Sequence, residues 1–374
     1  MDERLLENPQ KMKSIDKAGM LNYCFNMCRH YQEAADLAAG IITRYPKPSN
    51  IIVTGMGGSA IGGELLKDWA KNKISVPIEV NREYHLPAYA DEKTLVLVTS
   101  YSGDTEETLS ALLDALKQKC MIYCITSGGS VVEIAERLNI PYLQVPAGMP
   151  PRAALPYMLM PLLTFLEKTG LVSGVVEELD EALPIIEEIE RVNAAETPVK
   201  DSPVKTLAVN IEGLVPVVYG FGIYSSVARR FKQQINENAK MMAKWDNLPE
   251  FDHNEIVGYE KAKNIANGFA AIFIRDQDEP LEIRSRIEIT KKLMEPSGVK
   301  IYEVWSQGKS SFAKMLSVVA VADFLSNYLA VLREIDPTPV ETINKLKDSL
   351  KQNGNKGKIL KELEKLQAVT TATI

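Results

Sequence analysis

The stretch Ile51-Ile-Val-Thr-Gly-Met-Gly-Gly-Ser-Ala60 decides the fold, together with a companion, Val96-Leu-Val-Thr-Ser-Tyr-Ser-Gly-Asp-Thr105. Each opens as a short apolar run and breaks into glycine and hydroxyl residues. Each then continues into a helical pattern, Ile61–Trp69 in the first and Glu106–Leu116 in the second. A buried strand, a tight loop and a helix start form the arrangement that holds an anion at the carboxyl edge of a parallel sheet. Two such loops, both rich in hydroxyls, read as a phosphate seat.

Working outward, residues 1–45 read as a helical leader that packs on the sheet, with apolar positions at Leu21, Cys24, Phe25 and Cys28, then Ala34, Ala35, Leu37 and Ala38. Beyond the first loop, strands are expected at Val76–Val80, Leu95–Thr99, Met121–Thr126 and Tyr142–Val145, with helices over Thr105–Lys117 and Val131–Leu138. Alternation at this spacing implies a parallel, doubly wound sheet with right-handed crossovers. A turn-rich bridge from Pro146 leads to helices at Leu155–Leu166 and Val175–Asn193. The second of these is acidic around Glu177–Glu190, which reads as a solvated face. Thr197–Pro203 reads as a linker.

A second series starts near residue 205: strand Leu214–Tyr219, helix 223–242, strand Phe269–Arg275, helix Glu282–Lys292, strand Lys300–Trp305 and helix 311–333. It repeats the order of the first half without repeating its sequence. A final helix, Pro339–Leu366, carries a glycine break near residue 354.

Composition bounds the function classes. The 374 residues are 45% hydrophobic and 25% charged, an ordinary globular balance long enough for two domains. A net charge of −6 gives no footprint for nucleic acid. No apolar run reaches the roughly 18 residues of a membrane span, and the charged N-terminus lacks the apolar core of a secretory signal. Cys24, Cys28, Cys120 and Cys124 form two CxxxC pairs. On one helix 24 and 28 would share a face, as a metal site requires. With only three histidines in the chain, buried thiols in a reduced cytoplasmic setting fit better, and no metal is expected.

The glycine loop partly resembles the dinucleotide pattern G-x-G-x-x-G, with Ala60 in the third place and Glu79 or Glu83 as the acid on the next strand. The second loop shifts the balance. Ser100, Ser102 and Thr105 place three hydroxyls just before a helix, which suits a small phosphate monoester more than a dinucleotide.

Met56-Gly-Gly-Ser-Ala-Ile-Gly-Gly63 with Ser100-Tyr-Ser-Gly-Asp-Thr-Glu-Glu-Thr108 resembles the sugar isomerase (SIS) domain. Over nearly its full length the chain is similar to the bifunctional phosphoglucose/phosphomannose isomerases of the phosphoglucose isomerase superfamily. The resemblance implies two SIS-type, flavodoxin-like αβα sandwiches. It divides the chain into an N-terminal helical extension (1–45), a first SIS domain that binds sugar phosphate (46–170), a linker helix (171–203), a second SIS domain (204–335) and a C-terminal helix (336–374). It implies that Gly57, Gly58, Ser59, Ser100, Ser102 and Thr105 bind the substrate phosphate. It implies no cofactor, and a homodimer.

Four further residues gain roles from the resemblance. Glu237 lies after the apolar face Phe231–Ile235; alone it reads as a solvated helix glutamate. Moving a proton between C1 and C2 of a sugar needs one positioned carboxylate, the role the family gives this residue. His253, between Asp252 and Glu255, would move the ring-opening proton across a dimer interface. Arg152, which by itself could be a surface arginine capping the next helix, would stabilise the enediolate. The family uses a lysine of the terminal helix in ring opening; Lys347 sits on or beside the apolar stripe Ile343, Leu346 and Leu350, with Lys345 as the weaker option and a snorkelling lysine as the plain alternative. Gly308-Lys309-Ser310 looks like the end of a P-loop, but Glu303 stands where that motif needs its first glycine. The competing readings are a non-catalytic sugar-phosphate sensor, an SIS isomerase for another sugar phosphate and a nucleotide-dependent α/β enzyme.

Overall fold

The computed structural model describes residues 3–42 and 45–366. Three helices open the chain, α1 (Pro9–Ile15), α2 (Met20–Cys24) and α3 (Met27–Ala39). Then follow β1 (Asn50–Thr54), α4 (Gly57–Ala70), β2 (Ile78–Asn81), β3 (Thr94–Ser100), α5 (Glu106–Lys117), β4 (Met121–Thr126), α6 (Gly129–Leu138) and β5 (Tyr142–Gln144). These five strands are all parallel, in the order β2-β1-β3-β4-β5. This is the flavodoxin-like order. Strand β3 lies at the centre and every one of its residues is buried, which its Leu-Val-Leu-Val run allows on both faces.

Helices α7 (Leu155–Lys168), α8 (Val175–Val192) and α9 (Pro203–Ile211) lead to the second sheet. It is built from β6 (Val215–Phe221), α10 (Ser225–Asn238), β7 (Lys244–Leu248), β8 (Phe269–Arg275), α11 (Leu281–Met294), β9 (Lys300–Trp305) and α12 (Ser311–Leu332). Its four parallel strands run β7-β6-β8-β9, the first sheet's order without a fifth strand. The chain ends in α13 (Glu341–Gln352) and α14 (Asn355–Glu364). The expected single terminal helix is therefore two, parted at Gly354, whose left-handed φ of +70° suits glycine.

The chain forms two compact units that cut it differently from the five expected segments. Arg29–Val175 groups with the stretch from Val340, around the first sheet. The stretch up to Cys28 groups with Val176–Pro339, around the second. Helix α2 thus packs on α12, with the Phe25 and Phe324 rings 5.3 Å apart, rather than on the first sheet as the expected leader. Cys24 and Cys28 fall on different helices, so the shared-face reading does not apply.

In the first unit, α14 inserts Leu363, fully buried, into the cluster of Val96, Val98, Leu109, Leu112, Ile134 and Leu138. Helix α12 amends the expectation about apolar runs. Its 22 residues have a mean hydropathy of 1.8, long and apolar enough to cross a membrane, and the helix is buried as the core of its unit. The acidic α8 is also more than a solvated face. Glu178 accepts from the Phe312 N–H at 3.0 Å, and Glu181 accepts from the N–H groups of Lys309 and Ser310 at 2.6 and 3.0 Å, so the two carboxylates cap the start of α12.

Candidate functional site

Strand order in the first sheet reverses between β1 and β3, and ligands of doubly wound folds bind at that point. Both hydroxyl loops leave the sheet there. The first is glycine-rich because backbones crowd it. A Cβ on Gly55 would come within 2.5 Å of Thr99 Oγ1 and 2.6 Å of Thr99 O, and one on Gly58 within 2.7 Å of Pro151 O. Gly57 adopts φ +53°. Helix α4 starts directly at Gly57, and its N-cap Met56 supplies no side-chain cap. The first-turn N–H groups of such a helix have no acceptor within the helix.

Ser59, in that first turn, ties the two loops together: its buried Oγ accepts the Tyr101 N–H at 3.0 Å. In the second loop, Ser100 Oγ accepts from the Gly103 N–H at 3.1 Å and donates to Thr105 Oγ1 at 3.3 Å. Thr105 is the N-cap of α5 in extended conformation, and its side chain makes no cap bond. Ser102 is exposed and accepts the Asp104 N–H at 3.3 Å. The β4–α6 loop braces this one from behind. Gly103 has φ +70°, and a Cβ there would lie 1.7 Å from Gly128 O. The result is two hydroxyl-lined helix starts held side by side by backbone contact, suited to an anion.

Arg152 comes to the same place. It is 3% exposed, and its backbone N lies 3.3 Å from where a Gly58 Cβ would be, so the Pro150–Arg152 turn packs on the first turn of α4. The expected lysine does not. Lys347 is exposed on α13, and among the described residues it forms no hydrogen bond or ion pair with the loops. Lys356, at the start of α14, donates instead to Asp104 at 2.7 Å. Asp104 also accepts from the Ser130 N–H (3.3 Å) and hydroxyl (2.7 Å). Burial pushes its carboxyl up, but Lys356 and Ser130 outweigh this and hold it below the ordinary range. The glycine break near 354 starts a new helix, which puts Lys356 in its first turn.

In the second unit, Glu237 is half-buried in the last turn of α10. The inner face of that helix is pinned to α12 by a buried polar network. Arg230 and Gln234 donate to Asp323 at 2.7 and 2.8 Å, and Asn238 donates to Ser326 at 2.9 Å. Beyond Glu237, Asn236 donates to Met241 O at 2.7 Å, and Lys240 donates to Asp336 O and Pro337 O at 3.0 and 2.6 Å. The glutamate thus sits on a rigid helix end.

His253 is exposed at the end of the short 3-10 turn Glu250–His253. Its neighbours are anchored on both sides. Asp252 accepts from Arg286 (3.1 Å) and Thr290 (2.8 Å), while Glu255 accepts from the Tyr219 hydroxyl at 2.8 Å. Burial and nearby Asp246 push the Glu255 carboxyl up, against the bond from Tyr219. Beneath the turn, buried Phe251 packs on Tyr219 with ring centroids 4.4 Å apart.

The edge of the second sheet is chemically different. Tyr224 donates to Asp276 at 2.7 Å and accepts from the Ser306 hydroxyl at 2.8 Å, and Lys314 pairs with Asp276 and Asp278 at 3.0 and 2.7 Å. The P-loop-like turn Gly308–Ser310 holds the Glu181 carboxylate.

Residues 200–350 match the bacterial phospho-glucose isomerase C-terminal SIS domain. The chain is 37% identical to the bifunctional phosphoglucose/phosphomannose isomerase of Caldicellulosiruptor bescii, over 88% of this chain and 98% of that protein. It is 36% identical to the Aquifex aeolicus protein of the same name, over 81% and 91%. Among solved structures, a hypothetical protein from Thermus thermophilus superposes with a TM-score of 0.71 over 93% of this chain and 94% of that one; at 16% identity this likeness concerns the fold alone. With identity at this level along almost the whole of the first relative, the chain belongs to the bifunctional phosphoglucose/phosphomannose isomerase family.

Proposed function

We propose that this protein is an aldose–ketose isomerase interconverting glucose 6-phosphate and mannose 6-phosphate with fructose 6-phosphate. The observation that carries this reading is the pair of hydroxyl-lined helix starts at the first sheet's switch point, in a chain of this family. Gly57, Gly58, Ser59, Ser100, Ser102 and Thr105 hold the phosphate. His253 and a terminal lysine open the ring by moving a proton between the ring oxygen and O1. Lys356 takes the place expected of Lys347, because it is the lysine bonded to the hydroxyl loop.

The carboxylate of Glu237 then removes the C2 proton of the open-chain aldose. The C2–H electron pair forms the C1–C2 double bond, and the carbonyl pair moves onto O1. Arg152 stabilises that developing charge. Glu237 returns the proton to C1 while the O2 proton passes to O1, which leaves the ketone at C2 and a hydroxyl on C1. Because C2 is planar in the enediol, glucose and mannose 6-phosphate converge on one intermediate.

Glu237→Gln should lower kcat by about 10²–10⁴-fold, the usual worth of a general base, while sugar-phosphate binding survives in calorimetry. Turnover near that of the wild type would overturn the assignment. A coupled assay of mannose 6-phosphate against glucose 6-phosphate tests whether both epimers are accepted.

The reading includes a cytoplasmic homodimer in which His253 serves the partner's substrate. Its support is the exposed imidazole on an anchored turn, beside the exposed apolar Val257. Mixing Glu237→Gln and His253→Ala subunits should restore activity, since one site of each heterodimer would then carry both groups. Verified heterodimers that stay inactive would exclude the shared site.

A further inference from the structure

The acid Asp104 stands one residue from Thr105, in the loop read as a phosphate seat. A carboxylate there is costly on its face, since it repels a dianionic ligand. Its bonding explains what it brings. One oxygen, Oδ1, receives Lys356 Nζ of α14 at 2.7 Å, Ser130 Oγ at 2.7 Å and the Ser130 N–H at 3.3 Å. The Lys356 and Asp104 side chains are 32% and 46% exposed. Ion pairs that exposed add little to stability, so the pair is a poor staple for the fold.

The far end of α14 is fixed independently. Arg137 of α6 donates to the carbonyls of Leu363 (2.7 Å), Leu366 (3.0 Å) and Glu364 (3.4 Å), where a helix carries unpaired acceptors. Leu363 plugs the core beside it. Helix α13, which precedes α14, is exposed along almost its whole length. The terminal helix is therefore docked by Arg137 and Leu363 at its end and by Ile359 and Leu360 along its length, and Lys356 in its first turn binds the hydroxyl loop.

We propose that Asp104 is a positioning residue: it fixes Lys356 at the hydroxyl loop, and through Ser130 joins that loop to the β4–α6 loop, so that the terminal helix is built into the substrate seat. The proposal rests on the isomerase reading for the role of Lys356. Asp104 does no chemistry itself. It neutralises its own charge on a lysine and delivers that lysine to the place where a sugar phosphate is held.

A double-mutant cycle tests it. Lys356→Met should lower kcat by roughly 100-fold. Asp104→Asn should lower kcat by roughly 10-fold, with KM much less affected. The double variant should match Lys356→Met alone, because an aspartate that acts through the lysine has nothing left to position. Losses that multiply in the double variant, or wild-type kcat in Asp104→Asn, would overturn the proposal. A purely structural role through Ser130 would persist without Lys356 and is exposed by this comparison.

Hydrogen exchange gives a readout independent of turnover. In Asp104→Asn the first hydrogen-bonded amides of α14, from Lys358 onward, should exchange roughly 10-fold faster while those near Leu363 stay protected. Unchanged exchange would overturn the tether. Full turnover by Glu237→Gln would instead sink the isomerase reading, and the exchange result would still decide for or against the tether.

Discussion

The two sheets share a strand order and differ in what they place at its reversal. At the edge of the first, two helix starts offer backbone N–H groups and hydroxyls, and α4 and α5 lack side-chain caps. At the edge of the second, α10 and α11 also start without a side-chain cap, at Tyr224 and Pro280, but the protein's own charged side chains pair across the strand ends. Lys314 is held there by Asp276 and Asp278, and one strand further out carboxylates of α8 cap α12, the helix that follows β9. Topology makes the crevice in both cases. What differs between them is whether the protein's own charged groups already stand in it. The second edge pairs its charges internally, and the first presents hydroxyls, the arrangement proposed above to hold the phosphate.

This contrast is sharpest at Arg275, at the end of β8. Its guanidinium is almost fully buried, bonded to Glu279 at 2.5 Å, to Glu288 at 2.8 Å and to Glu303. Arg275→Met leaves the fully buried Glu279 without this partner and should cost about 3–5 kcal/mol of stability in urea unfolding, with the KM of the folded fraction unchanged. On the first edge the expectation inverts. Ser59→Ala or Ser100→Ala removes a hydrogen bond to a charged ligand, about 1.5–3 kcal/mol, and should raise KM for the sugar phosphate while unfolding changes less. A serine variant with normal KM, or an Arg275 variant with a raised one, would erase the division between the edges.

The smallest effect is in pH. Burial works against ionisation of Glu303, but Lys291 and Arg275 outweigh it and hold its carboxyl below the ordinary range. A folded value below the unfolded one, about 4.3, means that the stabilisation is complete above that pH and is lost as pH falls through the folded value. Melting temperature should therefore drop on acidification below about pH 4.3, and Glu303→Gln should flatten that drop by about 0.2–1 kcal/mol. A variant with the same acid slope as the wild type would show that the charges of this edge add no stability.

Sequence reading located what is local. Strands β4, β8 and β9 lie where their apolar runs place them, and both hydroxyl loops stand on adjacent strand ends. Strand β7 escaped because Lys244-Trp-Asp-Asn-Leu248 is an edge strand whose polar residues break the apolar run. Helix α9 hid behind a supposed linker, although Ser202 caps it and Pro203 occupies its first position, where proline starts a helix rather than stopping one. The pairing of Lys356 with Asp104 is invisible in the sequence because the two lie 252 residues apart. An apolar stripe on a helix shows which face can be buried, but not whether it is: Ile343 and Leu346 remain exposed. The caps from α8 escaped for the same reason, since a run of glutamates looks alike whether it faces water or a helix start.

Helix α12 has a consequence for how the chain is made. Its partners α2, α9 and α10 all precede it in sequence. Synthesis is vectorial, so the surfaces that cover α12 have left the ribosome before it emerges, and a segment with the length and hydropathy of a membrane span meets a waiting cradle. Helix α2 and the residue after it are part of that cradle through Cys24 and Phe25. A nascent chain without them would present the same helix partly uncovered to any machinery that selects spans by hydrophobicity.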